Sequence, residues 1–311
     1  MWLTTYKADT VRLRNEWPRR VYSRLEEWWA DMVLPGARPV GMTLRFAARL
    51  VGLALWCFGA LGAMLCASAL GLASEHGGRR AYRFVSRTWA KGMLRLFGTR
   101  IVVRGQIPAS PYFLVGNHVA WMDFFIAHTI LDAVCVTKAD VTAFPLAAFI
   151  LKGCDLITVN RRKEELLDTN AAIVKAMEAG KNIVFAPEGT VSPGRRVCHF
   201  HSALLEPAVR LRRPVHYVAI TVRTPDGWPP PSKVILTVDS DFFVRNPSEE
   251  ESRLAKQARQ KGLVRYLFGF LGLPWHEYVI TFADTPVSGS DRKALAKALE
   301  QAIQTIFLPV Q

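Results

Sequence analysis

From Leu50 to Ser74 the chain carries no charged residue. A run of that length is long enough to cross a bilayer as one helix. Gly59 and Gly62 sit near its middle, so two half-length helices dipping into one leaflet are a second way to fold it. A buried core helix is a third. Arg79, Arg80, Arg83, Arg87 and Lys91 follow the run, against Arg38, Arg45 and Arg49 before it. The positive-inside rule then places the C-terminal side in the cytoplasm.

The rest of the composition agrees with a chain that works at a membrane. Half of its 311 residues are hydrophobic, and the mean hydropathy is +0.12. Forty Lys and Arg against 26 Asp and Glu give a formal charge of +14, which favours anionic partners such as an anionic membrane surface. The basic residues are spread along the chain and no nucleic-acid motif appears, so nucleic acid is set aside. Residues 1–41 mix Trp2, Trp17, Trp28 and Trp29 with Arg12, Arg14, Arg19, Arg20 and Arg24. That content suits an interfacial segment at lipid headgroups, and equally a solvated helix packing a few aromatics. The five cysteines, Cys57, Cys66, Cys135, Cys154 and Cys198, have no metal-ligand spacing and are expected to be free thiols. Three regions result: 1–41, a membrane helix or re-entrant hairpin over 42–76, and a domain over 77–311.

From Arg100 the pattern becomes short apolar runs alternating with helical periodicity. Strands are expected at Arg100–Val103, Tyr112–Val115, Val134–Thr137, Leu156–Val159, Ile183–Ala186, Val215–Val222, Val234–Val238 and Tyr278–Phe282. Helices are expected at Glu164–Ala179, stopped by Gly180, and at Asp291–Phe307 with Ser290 as N-cap. This alternation defines an α/β domain with a mixed, largely buried sheet flanked by helices. Gly262–Trp275 reads as a membrane-facing patch or a core helix.

Chemistry-bearing residues fall at strand ends, where open α/β sheets present their ligand sites. After Tyr112–Val115, Gly116 and Asn117 turn the chain and deliver His118, with Asp123 five positions on. A histidine with a carboxylate nearby is the minimum for a general base and the group that orients it. Five residues of regular helix would turn about 500° and separate the pair, so His118 must lie in the turn before the helix. Glu188, Gly189 and Thr190 follow Pro187 at a second strand end, where the proline stops the ladder. Arg195 and Arg196, beside Pro193 and Gly194, complete a candidate anion cradle. A third strand end carries Asn160, Arg161 and Arg162.

Taken together these stretches resemble the motif set of the glycerolipid acyltransferase superfamily, which includes the bacterial 1-acylglycerol-3-phosphate acyltransferases. The first block matches Asn117, His118 and Asp123, the second ends in Arg161, and the third is Phe185 to Thr190 with Ala186 before the proline. A fourth, proline-bounded block resembles Pro214–Ile220, so the likeness covers about 100–222. It implies a membrane-associated O-acyltransferase moving a fatty acyl group from acyl-CoA or acyl carrier protein to a lysolipid hydroxyl. No cofactor or metal is needed, and the setting is the bacterial inner membrane with the catalytic domain facing the cytoplasm.

His118 would be the base and Asp123 its orienting partner, with backbone N–H groups near Gly189 or after His118 as oxyanion donors. Asn117, Arg161, Glu188, Gly189, Thr190, Arg195 and Arg196 would bind substrate, Glu188 and the arginines holding the acceptor headgroup. The expected acceptor is 1-acyl-sn-glycerol-3-phosphate, giving phosphatidic acid. Val191 departs from the Arg common at that place in phosphatidate-forming members, and the continuation to Val197 is closer to members acylating other lysolipids, including lyso-ornithine lipids. A metal-dependent phosphoesterase or lipid hydrolase is the competing class, with Asp155 and Asp239 as its candidate extra ligands.

Overall fold

The long apolar run lies within one helix, α1 (Arg38–Ala73), of 36 residues, about 54 Å at 1.5 Å per residue. It passes Gly59 and Gly62 without a break; the chain turns back only at Ser74. The structure, a computed structural model, describes residues 4–6, 38–138, 151, 154–159, 163–192, 194, 196–225 and 270–307. The expected strand at Val234–Val238 and most of 1–41 lie outside the described residues.

Ser74 N-caps α2 (Glu75–Leu96), its hydroxyl accepting the Gly77 N–H at 3.1 Å. The arginine-rich stretch after the apolar run, which the sequence marks only as a charged flank, is thus the second arm of a helical hairpin. Small residues let the arms touch. A Cβ on Gly78 would sit 2.4 Å from Gly71 Cα, and one on Gly92 would sit 2.1 Å from Trp56 Cε2. Trp56 Nε1 donates to the Trp89 carbonyl at 3.0 Å. On the other side of α1, Leu44, Val51, Leu55, Phe58, Leu65 and Leu72 are all more than half exposed. Among the described residues α1 alone is long and apolar enough to cross a membrane.

The sheet contains β1 (Thr4–Tyr6), β2 (Thr99–Arg104), β3 (Phe113–Gly116), β4 (Ala133–Lys138), β5 (Leu156–Val159), β6 (Asn182–Phe185), β7 (Val215–Arg223) and β8 (His276–Phe282). Its order is β1-β2-β8-β7-β3-β6-β4-β5. Neighbours are parallel except β7 and β8, which pair antiparallel with Ile220 opposite Ile280. The carboxyl ends of β3 to β7 therefore share one edge with the amino ends of β2 and β8. β1 was not foreseen, because three residues at an edge carry too little pattern to distinguish from the polar segment around them.

Alternating side chains divide the interior into two cores. Leu114, Val218, Val222, Tyr278 and Ile280 pack with α1, α2 and α3 (Met122–Ile130). Phe113, Val115, Ile183, Val215 and Ala219 pack with α4 (Lys163–Glu178), α5 (Glu206–Arg210) and α6 (Arg292–Ile306). α4 stops at Gly180, whose φ of +72° suits a residue without a Cβ. α6 is capped by Asp291, not Ser290: its carboxylate accepts from Lys293 N and Ala294 N at 3.0 and 2.8 Å. The described end of the Gly262–Trp275 run is core, with Phe270 and Leu271 at 0% and 1% exposure. Arg45 and Arg49 of α1 hold this end by donating to the carbonyls of Leu271, Gly272, Leu273 and Pro274.

Candidate active site

β3 ends at a tight approach to β7. A Cβ on Gly116 would lie 2.8 Å from Val218 Cγ1 and 3.1 Å from the Val218 carbonyl, so glycine is required there. Asn117 then continues the pairing with its side chain. Its Nδ2 donates to the Ile220 carbonyl at 2.8 Å, and its Oδ1 accepts the Ile220 N–H at 2.7 Å. The residue is 1% exposed. Its amide bonds both backbone groups of Ile220, which makes it a clamp on the strand end, a different task from the substrate contact expected above.

His118 stands in the turn before α3, as the helical arithmetic requires. Its Nδ1 lies 2.7 Å from Asp123 Oδ2. The same oxygen accepts the N–H groups of Val119 and Ala120 at 2.7 and 3.1 Å, and Asp123 lies in the first turn of α3, where a negative charge is favoured. An oxygen that already accepts two N–H bonds makes Nδ1 the protonated nitrogen of the neutral ring, which leaves the lone pair on Nε2. The His118 side chain is 28% exposed and that of Asp123 9%. The ring is reachable and its partner is sheltered.

The second strand end holds the backbone of the first. Glu188, 3% exposed, accepts the His118 N–H on Oε2 at 3.0 Å and the Cys198 N–H on Oε1 at 2.8 Å. Ser192 N donates to the His118 carbonyl at 2.7 Å. Both oxygens of Glu188 thus serve backbone donors, a different task from the headgroup contact expected of it. Burial pushes its carboxyl up to about 7, against the smaller opposing effect of the Cys198 and His118 N–H groups. Gly189, at φ +65°, makes the turn that follows. Its N–H donates to the Ala186 carbonyl at 3.2 Å. The amides of Val119, Ala120 and Gly189 are therefore already engaged, and the expected oxyanion donors are not among them.

Thr190 and Arg196 are half-buried and lie in the same chain segment as Glu188. Arg161 and Arg195 lie outside the described residues, although β5 ends at Val159 on the shared carboxyl edge. At about 4.8 Å per strand, that end is roughly 14 Å from β3, with β6 and β4 between. Asp155 stands at the opposite edge, before β5, paired to Arg83 at 3.0 Å and Lys181 at 3.5 Å; Asp239 lies outside the described residues. His128 is a core residue, its Nε2 3.2 Å from Ser86 Oγ, and burial holds its pKa down at about 4. Ser192 and Cys198 act on the site through backbone N–H groups. No residue-type pattern marks such contributions, so they were invisible before folding.

Residues 100–221 match the family model Acyltransferase. The chain is 25% identical to the lyso-ornithine lipid O-acyltransferase of Pseudomonas aeruginosa over 221 residues, 71% of this chain and 77% of that protein. It is 23% identical to the 1-acyl-sn-glycerol-3-phosphate acyltransferase of Neisseria gonorrhoeae over 196 residues, 56% of this chain and 77% of that one. In fold it resembles the 1-acyl-sn-glycerophosphate (LPA) acyltransferase PlsC from Thermotoga maritima, with TM-score 0.57 and 17% identity over 88% of this chain and 99% of that one. Residues 100–221 therefore carry an acyltransferase domain. The chain is an acyltransferase, and its apolar, outward-facing α1 associates it with a membrane.

Proposed function

We propose that this chain transfers a fatty acyl group from a thioester donor, acyl-CoA or acyl carrier protein, to the free hydroxyl of a lysolipid. The observation that carries the reading is the 2.7 Å contact between His118 Nδ1 and Asp123 Oδ2 at the carboxyl edge of the sheet. A lipid hydroxyl is far too weak an acid to attack a thioester at neutral pH. Nε2 of His118 takes its proton as the new C–O bond forms, and the Asp123 carboxylate stabilises the imidazolium. The proton then passes to the leaving thiolate when the C–S bond breaks. His118 serves as base, so no covalent acyl-enzyme is required. Glu188 acts by holding the His118 backbone, and Asn117 by holding β3 to β7. Arg196, with Arg161 and Arg195, supplies positive charge for the acceptor headgroup or the donor phosphates.

For the acceptor we favour lyso-ornithine lipid. Val191 in place of the arginine common in phosphatidate-forming members supports this choice, as does the 221-residue likeness to a lyso-ornithine lipid O-acyltransferase. 1-Acyl-sn-glycerol-3-phosphate is the second reading, supported by the likeness to the Neisseria protein. The catalytic domain faces the cytoplasm at a bacterial inner membrane, where acyl thioesters are made, and the +14 charge favours anionic lipid there. The test is product analysis by mass spectrometry. Purified protein in vesicles receives one acyl-CoA and a panel of lysolipids. Acylated ornithine lipid is expected; phosphatidic acid as the dominant product would reverse the choice of acceptor, and no acylated lipid would remove the reading.

A further inference from the structure

α6 comes late in the chain and contributes no group to the His118–Asp123 pair, yet two of its side chains reach the segment that closes the site. Val197 N–H donates to Gln304 Oε1 at 3.1 Å, and Phe200 N–H donates to Glu300 Oε2 at 3.0 Å. The same Glu300 oxygen lies 3.3 Å from His199 Nδ1. Between these contacts Cys198 N–H donates to Glu188 Oε1 at 2.8 Å, and His201 N–H donates to the Pro187 carbonyl at 2.9 Å. Four backbone donors of one short segment thus divide evenly. Those of 197 and 200 are held by α6, and those of 198 and 201 hold the acidic turn.

The helix is a firm base for this arrangement. Leu295, Leu299 and Ile303 are buried at 2%, 0% and 0% exposure, and Asp291 caps the first turn. Glu300 and Gln304, four apart, lie on one flank of the helix and meet the segment together. Cys198 and Phe200 are themselves buried at 4% and 1%, so the segment has little room to find replacement partners. Glu188 then carries the constraint onward, because its second oxygen holds the N–H of His118.

We propose that Glu300, seconded by Gln304, is a positioning residue for acyl transfer: it fixes 197–201 so that Cys198 holds Glu188 and Glu188 holds the backbone of His118. The inference rests on the reading of His118 as the base. It assigns to the C-terminal helix a part in the reaction that its distance in sequence conceals.

The experiment uses the full chain in phospholipid vesicles with four variants: Glu300→Ala, Glu300→Gln, Glu300→Ala with Gln304→Ala, and Lys297→Ala on the exposed face of α6 as control. Displacing a base by a fraction of an ångström is expected to lower kcat about tenfold in Glu300→Ala and further in the double variant, with KM for the acyl thioester within about twofold. Glu300→Gln keeps an oxygen for the Phe200 N–H and should restore kcat to within about twofold of wild type; Lys297→Ala should match wild type. Unchanged kcat in Glu300→Ala, or an equal fall in the Ala and Gln variants, overturns the proposal. Hydrogen exchange supplies a readout that does not depend on turnover. Amides of 197–201 and 117–120 should lose protection together in Glu300→Ala while β3 and β7 keep theirs. Loosening of 197–201 alone breaks the link to His118 and also overturns it. Should Glu300→Ala fail to fold, the Gln variant decides: native exchange with native kcat supports the proposal, and anything less sinks it. A wild type that acylates no lysolipid defeats the functional reading and this proposal with it, whereas an active wild type with no coupled loss of protection defeats this proposal alone.

Discussion

Replacing Asp123 by Asn removes a charge while changing almost no atom positions, so it isolates what the carboxylate does. Oδ2 accepts three hydrogen bonds, from His118 Nδ1 and from the N–H groups of Val119 and Ala120. Oδ1 is buried and accepts none from the described residues. The substituted amide keeps all three bonds by placing its carbonyl oxygen where Oδ2 stood, at the cost of burying an unpartnered NH2 where Oδ1 stood. That costs about 1–3 kcal/mol of stability. The reverse orientation would forfeit two backbone bonds and hold His118 in the wrong tautomer, so the first is expected. The ring then keeps its place and loses only the opposing charge on the imidazolium. Two unit charges about 4 Å apart, at an effective dielectric near 20, interact by about 4 kcal/mol. At 1.36 kcal/mol per decade that is roughly a thousandfold in rate. Single-turnover acyl transfer in vesicles measures it, with sedimentation to check membrane binding and a thermal melt to check the fold. A folded, membrane-bound variant within tenfold of the wild-type rate would refute Asp123 as electrostatic partner of the base.

Asn117→Ala should destabilise more than it changes chemistry. It strands the Ile220 N–H and C=O, both bonded now to an amide 1% exposed, for about 2–5 kcal/mol in all; a loss under 1 kcal/mol in denaturant titration would show that the clamp matters little. Glu188 predicts a pH dependence of definite sign. Burial raises its carboxyl from 4.5 to about 7, so the folded state binds the proton more tightly than the unfolded chain. Its contribution to stability is most favourable below pH 4.5, declines as pH rises to about 7, and is level above that. The span is about 3 kcal/mol at 1.36 kcal/mol per unit. Melting curves of wild type and Glu188→Gln from pH 4.5 to 8 should show a difference that changes across that window and in that direction; a constant difference rejects it.

Most strand positions were legible before folding because buried parallel strands are short runs of Val, Ile, Leu and Phe. Leu156–Val159 matches β5 to the residue, and Val215–Val222 matches β7 to within one. The helical arm Glu75–Leu96 reads first as a charged flank because of its many arginines, although Tyr82, Val85, Trp89 and Met93 recur along it at helical spacing. What the fold adds is its partner: Gly78 and Gly92 let it lie against α1.

The site divides in the same way. His118, Asp123 and Glu188 announce themselves by residue type and by their place after apolar runs, and local spacing was enough to put His118 in a turn. What Glu188 and Asn117 do was decided by tertiary contacts. A carboxylate buried against two backbone N–H groups and an amide bonded across to Ile220 depend on strands β6 and β7 flanking β3. Glu300 goes further, since it meets Phe200 across a hundred residues of chain. Side-chain chemistry and short-range periodicity are written in the linear order. The partner of a backbone N–H is not, because every residue but proline has one and only the fold chooses what it faces.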